Sequence, residues 1–151
     1  MLSCHLHSDG NYLELLYQPG FGAKHPASPE GIEAKLPFLK MQGNEVFKVA
    51  VRSLTDVSNE ALAANGFSSA DVGQFIPHQA NRRILEATTK RLGLADEQSF
   101  INVNKYGNTS GATIPIAIDE AFQQGLLKEG DLLLSAAFGG GFTWASALIR
   151  W

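Results

Sequence analysis

Phe75-Ile76-Pro77-His78-Gln79-Ala80-Asn81-Arg82-Arg83-Ile84 passes from one structural period to another. Phe75-Ile76 reads as a short buried strand. Pro77 ends it, because proline lacks an amide proton and restricts its predecessor. From Ala80 to Leu92 the positions Ile84, Leu85, Thr88 and Leu92 return at helical spacing, and Gly93 supplies a terminal cap. A strand that feeds straight into an amphipathic helix is the unit of layered α/β folds.

The same alternation continues outward in both directions. Upstream, Asn44 to Asn65 predicts a long helix, with Val46, Phe47, Ala50, Leu54, Val57, Ala61 and Leu62 as its apolar stripe and Gly66 behind it. Downstream, Phe100 to Val103 is strand-like, and a polar, glycine-flanked loop at Tyr106 to Gly111 feeds a helix from Thr113 to Gln124. Pro115 is tolerated in the first turn of that helix. Leu132 to Ala137 and Phe142 to Ile149 predict two strands around Gly139-Gly140-Gly141. At the start of the chain, Leu2 to Ser8 and Tyr12 to Tyr17 read as strands about the turn Asp9-Gly10-Asn11. Gln18 to Pro37, punctuated by four prolines, reads as an irregular loop (residues 18–37) inside one domain. The expected fold class is α/β, a layered mixed β-sheet packed against α-helices.

Composition narrows the function classes. In 151 residues, 44% are hydrophobic and 18% charged, which describes a packed globular chain and not a disordered one. The net charge of −3 argues against a generally basic nucleic-acid binder. No apolar run approaches the roughly 20 residues of a membrane span. One cysteine excludes an intrachain disulfide framework, and with no signal-peptide pattern at Met1 the expected location is cytoplasmic.

Several residues have the chemistry for a site. His78, at a strand-to-helix junction, stands where α/β proteins hold ligands and has a ring able to donate or accept near neutral pH; a hydrogen-bonded loop histidine fits the position too. Asn108, between Gly107 and Gly111, offers a fixed amide donor for an oxyanion, although the same residue types build ordinary turns and caps. The triple glycine after Phe138 permits close backbone approach, or a bulge or tight hairpin. Neither glycine run completes a dinucleotide-binding fingerprint or a nucleophile elbow. On a strand, Cys4 points away from the face shared by His5 and His7, so no metal site is expected. The helix after His78 carries Arg82, Arg83, Lys90 and Arg91 against Glu86 alone, which suits an acidic partner or a solvated face.

Taken together, Ile76-Pro77-His78-Gln79-Ala80-Asn81-Arg82-Arg83-Ile84, Tyr106-Gly107-Asn108-Thr109-Ser110 and Ala137-Phe138-Gly139-Gly140-Gly141-Phe142-Thr143-Trp144 resemble β-ketoacyl-acyl carrier protein synthase III. Leu6-His7-Ser8-Asp9-Gly10 and Met41-Gln42-Gly43-Asn44-Glu45-Val46-Phe47-Lys48 add to the resemblance in the right order. It spans the chain except Gln18 to Pro37. It implies a thiolase fold of two similar halves, of which residues 1–151 match the C-terminal one, as a piece of a longer protein. The family transfers an acetyl group from acetyl-CoA to a cysteine in the other half. It then condenses that group with malonyl-acyl carrier protein as carbon dioxide leaves, which starts type II fatty acid synthesis.

By this resemblance His78 and Asn108 are the catalytic histidine and asparagine, which stabilise the enolate through its thioester oxygen. Gly140 lies in the loop whose amide holds a second oxyanion, and Phe138 is an aromatic of the active-site chamber. Gln79, Ala80, Asn81, Arg82 and Arg83 form the carrier-protein contact segment, with Lys48 as a second basic contact. Asn81 also lies along the pantetheine path. No cofactor beyond the two thioester substrates is implied, nor any nucleic acid or membrane partner. The implied partners are the acyl carrier protein and the N-terminal half, and the full-length enzyme is expected to be a homodimer. Cys4 lies outside the family's nucleophile motif, so the isolated chain is expected to be inactive. Two alternatives are a carrier-protein-binding module without catalysis and a related starter synthase using another acyl group.

Overall fold

The computed structural model describes all 151 residues. Its centre is a four-stranded mixed sheet in the order β1 (Ser3–Ser8), β6 (Thr143–Arg150), β5 (Leu132–Gly139) and β4 (Gln74–Phe75). β6 runs antiparallel to both neighbours, whereas β4 and β5 are parallel. The long helix α2 (Gly43–Ala64) and α3 (Arg82–Leu92) cover one face, and α5 (Thr113–Gln123) covers part of the other. The layers are therefore helix, sheet, helix, as the alternation of periods predicts.

Side-chain alternation on β5 decides which residues face which layer. Leu132, Leu134 and Ala136 join Leu54, Val57, Ala61 and Ile84 on the α2/α3 side. Leu133 turns to the opposite side with Ile76, Phe100, Ala117 and Ala121. Phe75, Leu132, Leu134 and Leu148 are almost wholly buried, and each such side chain contributes about 1.5–3 kcal/mol through loss of apolar surface. Helix α3 begins at Arg82, two residues later than its apolar spacing predicts. Asn81 takes the cap position and accepts a hydrogen bond from the Arg83 amide at 2.9 Å. At its other end Gly93 adopts φ +71°, the left-handed cap that glycine makes easily.

Three expectations change. Tyr12 to Tyr17 is not a strand: Gly10–Leu15 is a 3-10 helix capped by Asp9, and only Leu16–Tyr17 extends, as β2, to pair with β3 (Lys40–Met41). The apolar residues of this turn, Tyr12 and Leu15, pack against the Phe142 cluster, which a helical turn satisfies as well as a strand. Phe100 to Val103 is not a strand either. A single bridge joins Phe75 and Ser99, and from Asn102 onward the amide protons turn to the Gln79 side chain as α4 (Val103–Tyr106) begins. Within residues 18–37, Pro29–Glu33 forms a short helix, α1, whose cap Ser28 accepts from the Gly31 amide.

Candidate functional site

Three chain segments meet beyond the carboxyl ends of the parallel strands β4 and β5, the usual place for ligands in α/β sheets. The first carries His78. Its backbone N–H donates to Ala136 O at 2.8 Å, which continues the ladder from β4 and fixes the residue beside β5. The half-buried ring places Nδ1 2.5 Å from Thr113 Oγ1, at the start of α5. That hydroxyl also lies 3.0 Å from Ser110 O. It has one proton for two partners, so its orientation is coupled to the tautomer of His78: donation to Nδ1 leaves a proton on Nε2. Desolvation by burial pushes the His78 pKa below the ordinary histidine value, which keeps the ring neutral at neutral pH.

The second segment carries Asn108. Gly107 sits at φ +70° and ψ −165°, a conformation essentially confined to glycine, and so turns the chain sharply after α4. Asn108 Oδ1 accepts from the Ser110 amide at 2.9 Å, which orients the carboxamide and leaves its Nδ2 donors for a ligand. The third segment is the end of β5 and the glycine turn. Here Phe138 packs edge-on against Phe142, with ring centroids 4.7 Å apart.

His78, Asn108, Phe138 and Gly139 line two cavities at once. One, of about 740 Å³, extends toward Leu6, Trp144 and Ala145 on β1 and β6. The other, of about 540 Å³, runs past Ala80 and Asn81 to Leu16, Phe47 and Arg83. Gly140 is exposed at the tip of the turn and outside both walls; Gly139 is the glycine that lines them. The sequence reading gives the glycine run its role through Gly140, not Gly139, and assigns none to Thr113. The glycine run signals Gly139, and a threonine opening the helix after the Asn108 loop signals Thr113.

One basic side chain, Arg83, lines the second cavity. Arg83 is exposed, makes no ion pair and lies 5.5 Å above the Phe47 ring. Arg82 is paired with Glu86 at 2.7 Å, and Lys48 with Glu45 at 2.7 Å. Lys90 and Arg91, at the far end of α3, are exposed. Gln79 does not belong with these surface residues. It is 1% exposed and its carboxamide bonds only to backbone groups, so its side chain is not on the surface where the sequence reading puts it. Cys4 is exposed on β1 and lines neither cavity. Its neighbours His5 and His7 both bond Glu60 of α2, at 3.2 and 2.6 Å.

Known proteins resemble this chain in sequence and fold. The family described as 3-oxoacyl-[acyl-carrier-protein (ACP)] synthase III C terminal matches residues 62–151. The β-ketoacyl-[acyl-carrier-protein] synthase III of Campylobacter fetus is 51% identical over 150 residues, covering 99% of this chain and 46% of that protein. That of Alkalilimnicola ehrlichii is 52% identical over 154 residues, again 46% of its length. The crystal structure of 3-oxoacyl-[acyl-carrier-protein] synthase III from Aquifex aeolicus superposes with a TM-score of 0.85 at 41% identity, over 99% of this chain and 44% of the other. The chain thus spans just under half the length of these relatives. With a thiolase-type half-fold and a family match over residues 62–151, it belongs to the 3-oxoacyl-[acyl-carrier-protein] synthase III family, to whose C-terminal half it corresponds.

Proposed function

We propose that this chain is the decarboxylating and carrier-protein-docking half of an acetyl-CoA:malonyl-acyl carrier protein condensing enzyme. One observation carries the reading: two neutral hydrogen-bond donors from separate loops, His78 and Asn108, line both of two adjoining cavities. The cavity past Asn81 and Arg83 suits a narrow thioester-bearing arm brought by an acidic carrier protein. The cavity toward Leu6 suits the acyl-cysteine supplied by the N-terminal half. No cofactor is needed, since both substrates are activated thioesters. The whole enzyme works as a homodimer in the cytoplasm.

In this reading the malonyl thioester enters with its carbonyl oxygen between His78 Nε2–H and Asn108 Nδ2–H. The bond to the carboxylate breaks, its electron pair enters the thioester as an enolate, and carbon dioxide leaves. The two donors meet the charge as it develops on oxygen, which stabilises the transition state more than the ground state. The enolate carbon then attacks the acyl-cysteine carbonyl, backbone amides of the Gly139–Gly141 turn hold the second oxyanion, and the thiolate departs. Desolvation serves this chemistry, because a neutral His78 can donate to the enolate without a permanent ion pair to the substrate carboxylate.

The test is a fusion of a family N-terminal half to this chain, assayed for acetoacetyl-acyl carrier protein from acetyl-CoA and malonyl-acyl carrier protein. The fusion should condense. His78→Ala and Asn108→Ala should each lower condensation by about 100-fold or more while the cysteine is still acetylated. The isolated chain, incubated with acetyl-CoA and weighed by intact-mass spectrometry, should gain no acetyl group. An acetyl group on Cys4, or condensation unaffected by both substitutions, would overturn the assignment.

A further inference from the structure

His78 and Asn108 bond separately, to Thr113 and to Ser110, and no hydrogen bond joins them. Gln79 does the joining. Its Nε2 donates to Pro77 O at 2.9 Å and to Phe100 O at 3.1 Å, and its Oε1 accepts from the amides of Asn102 at 2.9 Å and Val103 at 3.2 Å. Both protons and both lone pairs of the carboxamide are therefore used, at a side chain that is 1% exposed.

The two amides that Gln79 receives open α4, whose cap residue Asn102 makes no capping bond of its own. The Asn102 side chain donates instead to Glu120 of α5 at 2.9 Å, and Lys105 reaches the same carboxylate at 2.6 Å. α4 is thus capped from outside by Gln79 and clamped to α5 by Glu120, and it delivers Gly107 and Asn108. Thr113, at the start of α5, closes the circuit on the His78 ring.

We infer that Gln79 is a positioning residue that sets Asn108 against His78. This rests on the functional reading above only for its kinetic consequence; the mechanical part stands on the hydrogen bonds. A glutamate is the informative replacement. It keeps acceptors for the Asn102 and Val103 amides but turns a carboxylate oxygen toward the Pro77 and Phe100 carbonyls. Once protonated it regains one donor, so its defect depends on pH, whereas that of Gln79→Met does not.

In the fusion enzyme, acetylation of the cysteine should stay close to wild type in both variants. Condensation kcat should fall about 100-fold, the loss expected from displacing a catalytic group by about 1 Å, with KM for malonyl-acyl carrier protein little changed. Gln79→Glu should recover as pH is lowered, with an acid-side gain absent from wild type and from Gln79→Met. Amide hydrogen exchange in the isolated chain should quicken across Val103–Ser110 and stay slow in β5 and β6. Condensation close to wild type in both variants would overturn the proposal. So would acetylation and condensation falling together with faster exchange in the sheet, which means general loss of structure. If the wild-type fusion does not condense, the functional reading fails, and exchange alone decides: unaltered protection across Val103–Ser110 in Gln79→Glu would then overturn the positioning role.

Discussion

His78 shows how the fold sets the chemistry of one residue. Its backbone is tied to β5, its Nδ1 meets Thr113, and burial lowers its pKa. An unfolded chain takes up a proton at this residue near pH 6.5, while the folded chain does so only at lower pH. Acid therefore favours the unfolded chain: the contribution is complete above about pH 6.5 and shrinks as pH falls toward the folded value. Chemical-denaturation midpoints measured between neutral and mildly acid pH should fall further for wild type than for His78→Gln. Equal falls would show that His78 is not the responsible group. The residue types of this site were readable in advance, since a histidine after a strand and an asparagine between glycines both suggest donors. Their convergence was not, because nothing in the spacing of His78 and Asn108 says that one cavity wall holds both. Gln79 is hard to place from sequence for a related reason. A polar residue beside exposed arginines looks like surface until the backbone groups it serves, twenty-odd residues away, are placed around it.

Helix α3 carries the second group of functional candidates, and its two adjacent arginines differ. Arg82 spends its charge on Glu86, one turn along the helix, whereas Arg83 has no carboxylate partner and stands over Phe47 at the rim of the second cavity. On the proposed reading, reversal at Arg83 should weaken binding of acyl carrier protein by about tenfold or more. The corresponding change at Arg82 should cost less. The gap between wild type and Arg83→Glu should narrow with added salt, because an exposed ion pair is screened over roughly 10 Å at 0.1 M. Titration at low and high salt checks this; equal effects at both arginines would remove the distinction. At this scale the long periodic elements were legible. The α2 stripe, the Asn81 and Gly93 ends of α3 and the two long strands follow from apolar spacing and cap chemistry. The short segments were not, because their structure is decided by distant partners. Tyr12 and Leu15 coil where Phe142 offers them a place to pack, and the chain leaves the sheet after Phe100, whose amide still bonds Phe75 O, as Gln79 takes the amides of Asn102 and Val103.

The whole chain is asymmetric about its sheet. α2 and α3 cover most of one face, as the Ser146 hydroxyl bonded to Val57 O of α2 illustrates. Ala145, next along β6, must point to the other face, and with it Leu6, its cross-strand partner on β1. α5 reaches only part of that side. Leu6 remains 75% exposed along the open cavity of about 740 Å³, and Phe122 on α5 is 56% exposed beside Trp151. Exposed apolar groups, of which Leu6 borders the open cavity, mark a surface that expects a covering partner. In the reading proposed here the cover is the N-terminal half, which brings the acyl-cysteine to the Leu6 side of His78. Leu6→Asp separates this from mere surface exposure. In the isolated chain the substitution lies on open surface and should change stability by no more than about 0.5 kcal/mol. In a complex of separately expressed halves it would bury a carboxylate without a partner, and association should weaken by about 100-fold or more. Thermal melts of the chain and pull-down or calorimetry with the N-terminal half measure the two effects. Association unchanged by Leu6→Asp would place the cover elsewhere on the molecule.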